Sequence, residues 1–168
     1  AFGYQVLEAN TTGANNTAVG TYALDANTTA SNNTAVGYAS LGANTTGHSN
    51  VAIGTNAGDS NTTGNQNVFV GMNAFQGNTT AVQNTGVGDT IFNACSTGTR
   101  NAGLGYEAGY NVTTGDDNTF VGTQSGYYDG SSTTNGITTG SNNICLGSKS
   151  YPTAATVSNE ITLGNASN

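Results

Sequence analysis

The sequence predicts an all-β chain wound as a parallel β-solenoid of the left-handed β-roll type. Three observations carry this reading. A glycine marker returns at a fixed interval, an apolar residue precedes it in every copy, and an asparagine stands four residues before it in nearly every copy. The marker series runs Gly3, Gly20, Gly37, Gly54, Gly71, Gly88, Gly105, Gly122, Gly147 and Gly164. Its spacing is 17 residues, except for the 25 between Gly122 and Gly147, which is 17 plus an insertion of eight. A unit repeated at fixed spacing buries a shared core by stacking on its neighbours, so ten markers predict ten coils. A helix is excluded, because units rich in glycine and β-branched residues offer neither a 3.6-residue stripe nor helical propensity.

Within each coil the residue before the marker is apolar throughout: Phe2, Val19, Val36, Ile53, Val70, Val87, Leu104, Val121, Leu146 and Leu163. Alternation in an extended strand places the residue three before the marker on the same face, and these two ranks are expected to point inward. The residue between them, as in Ala18, Ala35, Phe69 and Phe120, is then expected to face outward. That face is the expected packing surface of a homotrimer built around a threefold axis. Asn16, Asn33, Asn50, Asn67, Asn84, Asn101, Asn118 and Asn143 are positioned to stack as an amide ladder that Glu160 breaks. Four residues after the marker, Leu7, Leu24, Leu41, Phe75 and Phe92 form a further apolar rank.

The Asn-Thr-Thr segments that follow, closed by Gly at Gly13, Gly47 and Gly64, are turn chemistry. They are also glycosylation sequons, at Asn10, Asn27, Asn44, Asn61 and Asn78, which the repeat stacks on one edge as possible glycan acceptors. The chain reads as a single repeat domain, 1–168, with regular coils over 1–126, an inserted loop region over 127–137 and terminal coils over 138–168. At about 4.8 Å per step, nine steps between ten coils give a rod about 43 Å long.

Composition narrows the function. The chain has 168 residues, of which 35% are hydrophobic and 7% charged, and its net charge of −7 opposes binding to nucleic acid. No apolar run is long enough to insert into a membrane, and no basic segment leads into an apolar one at the start. A first residue of Ala1 rather than Met points to a processed product or an excerpt. His48 falls in a variable turn position without partners, so no catalytic constellation forms around it and no enzyme is expected. Asp116, Asp117 and Asp129 do not repeat as calcium-binding turns do, so they read as solvated acids, and neither a metal nor a cofactor is expected. Cys95 and Cys145 stand three coils apart, about 14 Å along the axis, and are expected to be free thiols.

The segments Asn33-Thr34-Ala35-Val36-Gly37-Tyr38 and Asn50-Val51-Ala52-Ile53-Gly54 resemble the head repeats of trimeric autotransporter adhesins, and more closely the repeat arrays of bacteriophage tail-fibre stems. The closing Asn159-Glu160-Ile161-Thr162-Leu163-Gly164-Asn165 is similar to the segment that precedes the intramolecular chaperone domain of such fibres. The resemblance implies left-handed β-rolls packed in threes, outside the cell, on a virion tail fibre or a cell surface. The partners expected are further copies of the chain and a host receptor or glycan. The insertion is the most distinctive departure from the repeat, and loops on rigid scaffolds carry binding. Tyr127, Tyr128 and Asp129, extended by Tyr110 and Tyr106, are therefore the candidate receptor or glycan surface. Two other functions remain open: an extracellular filament assembled end to end, and an ice-binding solenoid.

Overall fold

The computed structural model describes residues 1–127 and 136–164, and over these the chain is an all-β parallel solenoid without a helix. Nine three-residue strands follow one another: β1 Thr17–Val19, β2 Thr34–Val36, β3 Val51–Ile53, β4 Val68–Val70, β5 Thr85–Val87, β6 Ala102–Leu104, β7 Thr119–Val121, β8 Ile144–Leu146 and β9 Ile161–Leu163. They form one sheet in sequence order, each pairing in parallel with the next, and a bridge from Phe2 to Val19 adds a further rung. Each pairing joins equivalent repeat positions, as in Thr34↔Val51 and Val36↔Ile53. The insertion leaves this register intact: β7 pairs β8 through Thr119↔Ile144, and Ile137 re-enters the core position that Val112 fills one coil earlier.

The marker glycine is fixed by backbone geometry. Gly20, Gly37, Gly54 and Gly71 have φ between +126° and +140°, a region closed to L side chains, and a Cβ on any of them would overlap the carbonyl of the next marker.

The direction of the strand faces is the reverse of the expectation. Ala18, Ala35, Ala52, Phe69, Phe120 and Cys145 are buried, whereas Val19, Ile53, Val87, Leu104, Val121 and Leu146 are exposed at between 37% and 54%. Alternation defines two faces but not which one is inside. The coil interior is narrow, and it closes on the rank four residues after the marker, where Leu24, Leu41, Phe75 and Phe92 are fully buried as expected. The strand's middle residue must therefore exchange volume with that rank. A Cβ on Gly86 would overlap the Phe75 ring, one on Gly103 the Phe92 ring, and one on Gly126 the Phe120 ring. Phe69, Phe75, Phe92 and Phe120 consequently form a continuous chain of rings, with successive centroids 4.7, 4.8 and 5.6 Å apart.

The predicted amide ladder is present and fully used. The Oδ1 of Asn33 accepts the backbone N–H of Asn50 at 2.9 Å, while its Nδ2 donates to the Gly47 carbonyl at 2.8 Å. The same pair of bonds recurs at Asn50, Asn67, Asn84, Asn101 and Asn118. Only a short side chain with both a donor and an acceptor satisfies both partners, which explains asparagine at this position. Glu160 ends the ladder: its N–H still donates to Asn143 Oδ1 at 3.0 Å, but its carboxylate turns to Thr153.

Candidate binding surface

Two surfaces stand out on the solenoid. The first is the corner that leads into the insertion. Tyr110 and Tyr127 occupy equivalent positions in successive coils, and their rings meet edge-on with centroids 5.6 Å apart. Tyr106 lies on the same turn as Tyr110 and is about half exposed. The Glu107 carboxylate beside it raises the phenol's pKa, through side-chain hydrogen bonding first and its negative charge second. Glu107 is held in turn by Gln124, whose Nε2 donates to Oε2 at 2.8 Å. The structure thus brings Tyr106, Tyr110 and Tyr127 to one corner and adds Glu107 and Gln124, which the sequence reading missed. Tyr128 and Asp129 lie outside the described residues.

The second surface is the outward face of the sheet. Two columns run along it, Thr17, Thr34, Val51, Val68 and their equivalents on one side, and Val19, Val36, Ile53, Val70 and theirs on the other. Together they make a flat strip, largely apolar and partly or fully exposed, over the whole length of the sheet. A signal for it was present in the sequence. Columns whose members trade volume, Ala for Phe or Phe for Gly, are interior, while a column of uniform Val, Ile and Leu answers to no partner across the coil.

The sequons are not on an open edge. Asn27, Asn44, Asn61 and Asn78 are fully buried, and Asn10 is half-buried. They form a second amide ladder inside the coil: Asn27 Nδ2 donates to Asn10 Oδ1 at 2.8 Å, Asn44 to Asn27 at 3.1 Å and Asn61 to Asn44 at 2.8 Å. A glycan needs an accessible Nδ2, so the expected glycan row is corrected to an internal ladder. The hydroxyls that follow are used as well, with Thr28 Oγ1 donating to the Thr45 carbonyl and Thr45 Oγ1 to that of Thr62.

The remaining candidates serve the coil stack. Asp116 Oδ1 accepts from Thr99 N–H at 2.7 Å and from its hydroxyl at 2.8 Å, and Asp117 forms a two-pronged exposed pair with Arg100 at 2.6 and 2.8 Å. His48 is exposed, with Nδ1 3.3 Å from Ser49 Oγ. Cys95 and Cys145 are free and buried, and burial pushes their thiols up to about 12 and about 11. No group of three or more metal-ligating side chains occurs among the described residues. Comparison with protein families, curated proteins and solved structures finds no match to this chain.

Proposed function

We propose that the chain is a structural segment of an extracellular fibre or adhesin, on a virion tail fibre or a cell-surface appendage. In this reading it associates with copies of itself as a homotrimer and presents a surface to a host receptor or glycan. The observation that carries it is the outward sheet face. Nine strands with an apolar residue on the same outward column make a strip about 38 Å long at a rise of about 4.8 Å per step. An exposed apolar surface of this regularity marks an interaction site. A second solenoid of the same rise matches it without strain, whereas the surface of an irregular protein does not repeat at that interval. The copies therefore meet through the Val, Ile and Leu column rather than through the Ala and Phe residues, which fill the coil. The corner bearing Tyr106, Tyr110 and Tyr127 lies beside the insertion and is the candidate receptor surface.

Light scattering on the purified chain, paired with the intact mass of the denatured chain, tests the assembly. Three chain masses are expected. The double variant Ile53→Glu, Val87→Glu, which alters only exposed positions, is expected to give a folded monomer. A parent chain that is already monomeric, or that forms an open-ended polymer, overturns the trimer.

A further inference from the structure

The corner beside the apolar strip carries a second periodicity, of two coils. The residue after each of the first eight marker glycines reads Tyr4, Thr21, Tyr38, Thr55, Met72, Asp89, Tyr106 and Thr123, large and small in alternation, and Ser148 after the insertion ends the pattern. The column is straight, because each carbonyl in it accepts a hydrogen bond from the next coil: Tyr22 N–H to Tyr4 at 3.0 Å, Asn56 to Tyr38 at 2.8 Å and Gln124 to Tyr106 at 2.8 Å. Its large members project into solvent, Tyr4 at 65%, Tyr38 at 52%, Met72 at 50% and Tyr106 at 47% exposure. At about 4.8 Å per coil they recur about every 10 Å. Tyr22 packs edge-on between Tyr4 and Tyr38, with centroids 5.9 and 5.8 Å away, and braces the first two rings at that interval.

We propose that this column is a docking track for a linear, uncharged polysaccharide of β-1,4-linked pyranose rings. The inference rests on the glycan-presenting reading above and moves the contact onto the solenoid itself. Such a chain advances about 5 Å per ring, the span of a six-membered ring and a bridging oxygen with ordinary bond lengths. It also turns over at each ring, so the same C–H face returns every second ring, about 10 Å on, which is the interval of the large side chains. The mismatch of a few tenths of an ångström per ring is small enough for the glycosidic torsions to absorb.

Aromatic rings and a thioether suit apolar C–H faces. Between them stand Thr21, Thr55 and Asp89, polar residues at the positions that the intervening ring, with its own hydroxyls, would occupy. Charge selects within the class: at a net −7, and with Asp89 and Glu107 beside Tyr106, the surface repels sulfated, phosphorylated or uronic acid polymers. No cavity indents the described residues, which fits a ribbon lying along the rod rather than a single sugar in a pocket.

Isothermal titration of the full chain with cellohexaose, chitohexaose and maltohexaose tests this. At least one β-linked hexamer is expected to bind, and maltohexaose, whose α-links curl the chain, is not. Affinity for the bound series should rise about tenfold from disaccharide to trisaccharide, when a second aromatic side chain is reached, and fall about tenfold in Tyr38→Ala. The triple variant Tyr4→Ala, Tyr38→Ala, Tyr106→Ala should abolish binding while its circular dichroism and solution mass match the parent. Absence of binding to both β-linked probes, equal binding of maltohexaose, or a triple variant that binds like the parent overturns the proposal. A trimer that binds no saccharide removes this inference and leaves the assembly standing, whereas a monomer that binds through the column does the opposite.

Discussion

The coils around Asn27, Asn44 and Asn61 and the coils around Cys95, Val112 and Ile137 share one backbone, yet the same interior position is an amide ladder in the first region and an apolar column in the second. The rest of the interior changes with it. The first region packs Ala18, Ala35 and Ala52 against Leu24 and Leu41, and the second packs the Phe92 and Phe120 rings against Gly103, Gly109 and Gly126. A solenoid column therefore accepts polar or apolar members provided its neighbours along the axis are alike. The cost falls at the junction: Asn78, one coil before Cys95, turns its Oδ1 to the Ala81 N–H, and both its Nδ2 and the Oδ1 of Asn61, one coil earlier, are left without a partner.

The largest test of this contrast is Phe92→Ala. The ring touches two neighbouring rings and fills the space over two glycines, so its loss is expected to cost about 3–5 kcal/mol in denaturant unfolding. Leu41→Ala, in the region of smaller side chains, should lie near the lower end of the range for a leucine, about 2–3 kcal/mol. Equal losses would mean that the two cores are not packed differently.

Next comes a pair that probes the columns themselves. Asn44→Val removes the donor to Asn27 Oδ1 and is expected to cost about 1–3 kcal/mol, whereas Asn78→Val loses only the bond that its Oδ1 accepts from Ala81 N–H, its Nδ2 being already unpaired, and should cost less. If both variants lose the same stability, the rule of like neighbours fails.

The thiols sharpen the second region. A thiol whose pKa is raised by folding supports the fold below its unfolded value near 9.0, and that support is lost as pH climbs towards about 12 for Cys95 and about 11 for Cys145. Stability should hold to about pH 9 and fall above it, and a Cys95→Ala, Cys145→Ala chain should show a shallower decline. Native alkylation at neutral pH should be slow at both sites and rapid only after unfolding. The smallest effect is expected at the surface, where Arg100→Gln removes an exposed ion pair and should leave the thermal midpoint within error of the parent's.

How much was legible in the sequence follows from what kind of fact each feature is. The 17-residue spacing fixed the stacking register, because equivalent residues of identical units must face each other, and the pairing of Thr34 with Val51 follows from counting alone. Gly20 and its equivalents and the Asn33 ladder were legible for the same reason: a column of one residue type reports one local requirement repeated. The candidate corner was legible in part, since Tyr110 and Tyr127 are one repeat apart, but the Glu107 and Gln124 that brace it carry no mark in a single copy.

What the sequence by itself determined, then, is the repeat, the register and the identity of each column. Which columns lie inside was decided only by the closed coil. A strand of three residues has two faces of equal periodicity, and hydrophobicity favoured Val19 and Val36 over Ala18 and Ala35 as core. Closure reversed that order, because the interior between the sheet and the Leu24 rank has room for a side chain only where its opposite number is small. The same closure drew Asn27, Asn44 and Asn61 from an expected edge into the interior, where an amide that finds no water must find another amide.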